Sequence, residues 1–92
     1  MDRQEAGILL GQYLDELESL GYSSLSTRIG EDIVFEREGR AKVMYQIEVA
    51  IRWEHKPNGA VLILGAIDDG GLSAFLPLSD SRLVLPEPGP GE

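Results

Sequence analysis

The chain has 92 residues and no cysteine, so disulfides and thiolate metal sites are excluded and a single core or an oligomer must stabilise it. Sixteen acidic and eight basic residues give a formal net charge of −8, which repels phosphate backbones and disfavours nucleic acid as a partner. No apolar run approaches the roughly 18 residues of a membrane span, and the lack of thiols fits a cytoplasmic protein. An acidic domain that imitates nucleic acid is a less favoured alternative.

An amphipathic helix is predicted from about residue 3 to residue 20 or 21. Asp2 is placed to cap it, Glu5 occupies the capping-box position, and Gly21 follows as a left-handed C-terminal cap. Acidic residues interrupt the apolar stretch, so we expect a domain helix and not an export signal. Its apolar stripe consists of Ala6, Leu10, Tyr13, Leu14, Leu17 and Leu20. This stripe must pack against another apolar surface.

A change of apolar period to two predicts a long strand with one buried face over residues 42–55. Three hairpin turns are predicted at 37–39, 57–59 and 69–70, the first two with a left-handed glycine and the third from an Asp-Gly pair. These turns pair Ile33 with Val43, Phe35 with Ala41, Lys56 with Ala60, Trp53 with Ile63, and Ile67 with Leu72. All three registers place the same apolar residues on one face.

The fold class that follows is α+β, with one N-terminal helix packed on one face of an antiparallel β-meander of four to six strands. A further short strand is predicted around residues 25–29, turning at Gly30, and a last edge strand at 82–86. We expect a single domain over residues 1–85. Residues 86–92 are rich in Pro and Gly and predict a disordered tail.

An apolar patch is predicted on the sheet face away from the helix. The predicted registers place Leu62 opposite Pro77 and Leu64 opposite Phe75. The predicted interaction surface comprises Met44, Ala50, Leu62, Leu64, Ala66, Phe75 and Pro77. Contiguous exposed patches are typical of partner surfaces, and a second copy is the simplest occupant because twofold symmetry lets one patch bind itself. The alternatives are a C-terminal segment that covers the face, a sheet that curls, or a different register.

Catalytic chemistry has little support in the sequence. His55 is the single histidine and has no visible partner, and no nucleophile elbow or phosphate-binding loop is present. Asp68 and Asp69 lack the further oxygen ligands of a calcium loop and predict a turn. We therefore predict neither an enzyme nor a metal or cofactor site.

The predicted function is a non-catalytic protein-protein interaction module, adaptor-like, chaperone-like or regulatory, that acts as a homodimer. It is expected to act through the predicted apolar patch or through an exposed edge strand. The order of one helix and then a meander is similar to several small adaptor and chaperone architectures, an analogy of fold alone. The alternative is a small-ligand-binding domain with a pocket between helix and sheet at Tyr13, Tyr45 and Trp53. An enzyme comes third.

Overall fold

The chain folds as two helices followed by a four-stranded antiparallel sheet, seen in a computed structural model that describes residues 1–71 and 76–86. The strands follow one another in the order β1-β2-β3-β4, and the helices pack on one face of the sheet. The elements are α1 (Arg3–Glu18), α2 (Gly21–Ser26), β1 (Asp32–Glu38), β2 (Met44–Trp53), β3 (Val61–Asp68) and β4 (Leu78–Val84). The predicted α+β class is confirmed.

Helix α1 begins as its sequence predicts, because Asp2 Oδ1 accepts a hydrogen bond of 3.0 Å from the backbone N–H of Glu5. It ends at Glu18, two or three residues earlier than predicted. Gly21 takes the predicted left-handed conformation, with φ of 85°. This residue turns the chain from α1 into the short helix α2.

The strand predicted around residues 25–29 is wrong, since most of that segment belongs to α2 and the turn that follows it. Leu25 is buried and Ile29 is half-buried against the core. These two residues are four apart, a spacing that fits a helical face as well as an alternating strand. Gly30 does make the predicted turn, with φ of 95°.

The three predicted strand registers are also wrong, each by an even number of residues. The connections between β1 and β2 and between β3 and β4 are longer than the predicted tight turns, and they shift the pairing by six residues; the shift between β2 and β3 is two. The observed pairs include Ile33 with Val49, Phe35 with Ile47, Trp53 with Val61, and Ile67 with Leu78. An even shift keeps every side chain on its face, so the odd-numbered residues of β1, β2 and β3 face inward as predicted.

The glycines expected to be left-handed in the first two turns are not the residues with positive φ. Ala41 and Lys42 take φ of 53° and 60° in the first connection, and Asn58 takes 65° in the second. Gly39 is instead required for space, because a Cβ there would lie 2.5 Å from Glu5 Oε1. The glycine therefore lets the first connection pass close to the start of α1.

The core lies between α1, α2 and the inner face of the sheet. Its buried members are Ala6, Leu10, Leu14, Leu17, Leu25, Tyr45, Ile47, Val49, Ile51, Val61, Ile63 and Ile67. Helix α1 packs mainly against β3 and β4, where Gly65 allows a close approach. A Cβ at Gly65 would lie 2.8 Å from Leu10 Cδ1 and 3.1 Å from Leu14 Cδ2.

A polar contact fastens the start of α1 to the sheet. The carboxylate of Glu5 accepts a hydrogen bond from the Tyr45 hydroxyl and another from the backbone N–H of Arg40, both of 2.8 Å. Burial and then the hydrogen bond to Glu5 raise the pKa of Tyr45 to about 12. The phenol is thus protonated at neutral pH and remains a donor to the carboxylate.

Candidate interaction surface

The outer face of the sheet, opposite the helices, holds a broad open groove of about 700 Å³. Two cross-strand rows of outward side chains cross its centre. The first row is Asp32, Ala50, Leu64 and Ser81, and the second is Val34, Glu48, Ala66 and Ser79. The groove therefore runs across all four strands.

On the side of this face formed by β3 and β4, the outward side chains within residues 62–66 and 79–83 are all uncharged. Leu62 lies opposite Leu83, and Leu64 lies between Ala50 and Ser81. The side chains of Leu64 and Leu83 are 45% and 43% exposed. We call the set the neutral patch; its members are Ala50, Leu62, Leu64, Ala66, Ser79, Ser81 and Leu83.

The side formed by β1 is acidic. The outward positions of β1 are Asp32, Val34, Glu36 and Glu38, which we call the acidic edge. Asp32 forms an ion pair of 2.7 Å with Arg52, while Val34 is 58% exposed. Glu48 of β2 lies opposite Val34 and extends the acidic character inward from the edge.

Four of the seven residues of the predicted interaction surface lie together in the neutral patch, namely Ala50, Leu62, Leu64 and Ala66. Met44 is also on the outer face but lies six residues along β2 from Ala50, about 20 Å away, opposite Glu38. Pro77 is exposed just before β4 and does not pair with Leu62, so that predicted pairing is wrong. Phe75 lies outside the described residues.

Sequence reasoning missed two apolar residues of the outer face, Val34 and Leu83. Both lie in segments of alternating pattern, but the two registers that would place them beside Ala50 and Leu62 were wrong. Residues 83 and 84 form the end of β4 and extend the sheet. Within the described part of the chain, the C-terminal segment therefore does not cover the outer face.

The three aromatic residues of the alternative ligand pocket are not brought together. Tyr45 and Trp53 lie at opposite ends of β2, eight residues or about 27 Å apart. Tyr13 packs edge-to-face on Phe35, with the ring centroids 4.6 Å apart. Each aromatic ring thus packs at a different part of the helix and sheet interface.

The residues weighed for chemistry have structural surroundings. His55 is exposed in the connection after β2, where its Nε2 lies 3.4 Å from Glu54 Oε1. Asp68 Oδ1 accepts a hydrogen bond of 2.8 Å from the backbone N–H of Gly70, which makes it a turn residue. Over residues 1–71 and 76–86, no three His, Cys, Asp or Glu side chains are grouped to hold a metal ion.

The fold and its surface define a small α+β domain, and no helix of residues 1–71 and 76–86 packs on the outer face of its antiparallel sheet. No protein-family model, curated protein or solved structure matches the chain. None of the described helices is long and apolar enough to cross a membrane.

Proposed function

We propose that the chain is a non-catalytic protein-interaction module that binds a second copy of itself through the neutral patch. The observation that carries the proposal is the pair of exposed leucines, Leu64 and Leu83, on a sheet face that no described element covers. Burial of such apolar side chains by a partner lowers the free energy of the complex.

Charge favours a second copy as the occupant of the neutral patch. Two molecules of net charge −8 repel one another, and the repulsion is smallest where facing surfaces carry no acid. The acids of the outer face lie on β1, at Glu48 and at Asp68 at the end of β3, around the patch and not within it. A twofold axis that lies in the interface and runs along the strands would place the acidic regions of the two copies on opposite sides of the patch.

The shape of the patch also suits packing of one sheet on another. Leu64 projects among the small side chains of Ala50, Ala66 and Ser81. Two such faces can interdigitate at the usual separation of about 10 Å between packed sheets. The dimer would present two acidic edges, a geometry suited to an adaptor-like, chaperone-like or regulatory role. The lack of cysteine supports a cytoplasmic location for such a module.

The test is the substitution Leu64→Glu, followed by measurement of the molar mass by light scattering over a concentration series. A buried carboxylate without a partner is costly, so we expect the variant to remain at 10.1 kDa where the wild type reaches twice that mass. Leu20→Glu is the matched control, because Leu20 is 47% exposed and lies between the two helices. It should dimerise like the wild type.

Two results would contradict the proposed function. One is a wild type that stays at 10.1 kDa at the highest concentration reached. The other is a dimer that Leu64→Glu leaves intact while the far-ultraviolet circular dichroism shows both proteins folded.

A further inference from the structure

The two edge strands of the sheet differ in how their outward backbone groups are satisfied. Ile51 N–H donates to Glu31 O at 3.1 Å, and Gly39 N–H donates to Val43 O at 2.7 Å. These two hydrogen bonds show which residues of β1 direct their backbone groups at β2. They are the odd-numbered ones, because inward and outward backbone groups alternate along an antiparallel strand. The N–H and C=O groups of residues 32, 34, 36 and 38 therefore point away from the sheet.

At the other edge, the outward backbone groups at the centre of β4 are already hydrogen-bonded by neighbouring side chains of the same strand. The same alternation directs the backbone of Ser81 outward, where its N–H donates to Asp80 Oδ1 at 2.8 Å and its C=O accepts from Arg82 Nη1 at 2.9 Å. Arg82 is held in place by Asp80 and by Asp15 of α1, at 2.9 and 3.1 Å. Neither backbone group of Ser81 is left for a neighbouring strand.

No such protection is found along β1. Within residues 1–71 and 76–86, the outward N–H and C=O groups of Asp32, Val34, Glu36 and Glu38 have no hydrogen-bond partner. Helix α1 packs mainly against β3 and β4, and Ile33 and Phe35 on the inner side of β1 are only half-buried. A strand added here would gain backbone hydrogen bonds and apolar contacts together.

The charges of the acidic edge determine what kind of strand fits. Antiparallel pairing of β1 with a second copy of β1 brings its acids beside one another, and like charges across a strand pair are destabilising. Asp32 is already paired with Arg52, but Glu36 and Glu38 form no ion pair with any residue in the described part of the chain. The edge therefore favours a basic strand from a different protein.

We propose that β1 binds an extended segment of another protein as an antiparallel fifth strand. The segment carries Lys or Arg opposite Glu36 and Glu38 and apolar side chains opposite Ile33, Val34 and Phe35. Its residue opposite Arg37 is polar, because that guanidinium already lies over the Phe35 ring, 5.5 Å from its centroid. This inference shares the interaction class of the proposed function but does not depend on the dimer.

The probe is the capped heptapeptide Lys-Thr-Lys-Val-Val-Val-Lys, labelled for fluorescence anisotropy, whose first residue pairs with Glu38 and whose last pairs with Asp32. Its fifth residue directs its N–H at Val34, and its fourth directs its N–H away from β1. We expect saturable binding that N-methylation of the fifth residue weakens by about tenfold or more and N-methylation of the fourth leaves nearly unchanged. The peptide Glu-Thr-Glu-Val-Val-Val-Glu should not bind.

Variants of the protein test the charges separately. Glu36→Lys combined with Glu38→Lys should weaken binding of the basic peptide by about tenfold. The matched control is Glu16→Lys combined with Glu18→Lys, a charge change of the same size on the exposed side of α1. It should change the affinity far less, since these positions lie on the exposed side of α1 and not on β1.

Three results would overturn this inference: no saturable binding, equal binding of the two N-methylated peptides, or equal binding of the acidic peptide. A fourth result would also overturn it: the wild type is a dimer and Val34→Pro, which removes one outward N–H, makes it a monomer. In that case the strand that pairs with β1 comes from a second copy. Leu64→Glu separates the two proposals, because that variant should lose the dimer and keep its affinity for the basic peptide.

Discussion

Replacement of Gly65 by Val is expected to lower the free energy of unfolding by about 3 kcal/mol. A Cβ at this position would already lie 2.8 Å from Leu10 Cδ1, and valine adds two further methyl groups. Leu10 and Leu14 are fully buried, so they have no free space to move into. Helix α1 must then rise from β3 and expose part of the core. Urea unfolding followed by circular dichroism measures the loss.

Ala66→Val is the matched control, because it adds valine at the next residue of the same strand but on the outer face. Since Ala66 belongs to the neutral patch, the two variants are compared at a dilution at which the protein is monomeric. Valine suits a half-exposed strand position, and we expect a change within about 0.5 kcal/mol. Equal stability of the two variants would contradict the close packing of α1 on β3 at Gly65.

Glu5→Ala is the second substitution with a large expected effect, a loss of about 2 to 3 kcal/mol. It removes the acceptor of the Tyr45 hydroxyl and of the Arg40 backbone N–H, and the side chain of Tyr45 is 1% exposed. Water cannot easily replace the carboxylate at a buried phenol. Glu16→Ala on the exposed side of α1 should cost no more than about 0.5 kcal/mol.

A double-mutant cycle separates the Glu5 to Tyr45 contact from the other consequences of losing Glu5. In the Tyr45→Phe background there is no hydroxyl to leave unsatisfied, so Glu5→Ala should cost about 1 kcal/mol less than in the wild type. Equal costs in the two backgrounds would show that the hydrogen bond adds nothing to stability.

The sequence alone predicts which faces of β1, β2 and β3 are buried, but it does not predict which residues are opposite one another. Alternation of apolar residues determines which side chains of a strand face the core. It leaves the register open, because a shift by any even number of residues keeps those side chains on the same face. Leu64 was therefore placed correctly on the outer face while its partner was predicted as Phe75 and is Ser81. The register depends on the length of the connection, for which the local signals were misleading.

The first connection shows why those signals failed. Gly39 suggested a left-handed turn residue, yet its small size serves contacts with Glu5 and Tyr45, which come from distant parts of the chain. The left-handed residues are Ala41 and Lys42, whose side chains normally disfavour that conformation. Tertiary packing overrode local preference here, and only the folded structure reveals it.

The candidate surfaces were predictable to different degrees. The neutral patch follows largely from strand alternation, which correctly identified Leu62 and Leu64 as outward residues. The contrast between the two edges was not predictable, because it depends on how Asp80 and Arg82 close the edge around Ser81. Such contacts require the register of β4 and the position of α1, and neither is encoded in a short motif.

The most direct test of the proposed self-association is a dilution series of the wild-type protein followed by methyl resonances in nuclear magnetic resonance spectra. If two copies dock through the neutral patch, the methyl signals of Leu62, Leu64 and Leu83 should move with concentration while those of the buried Leu10 and Leu14 stay in place. Spectra that do not change with concentration, or changes confined to the exposed side of α1 at Ile8, would contradict docking through the outer face.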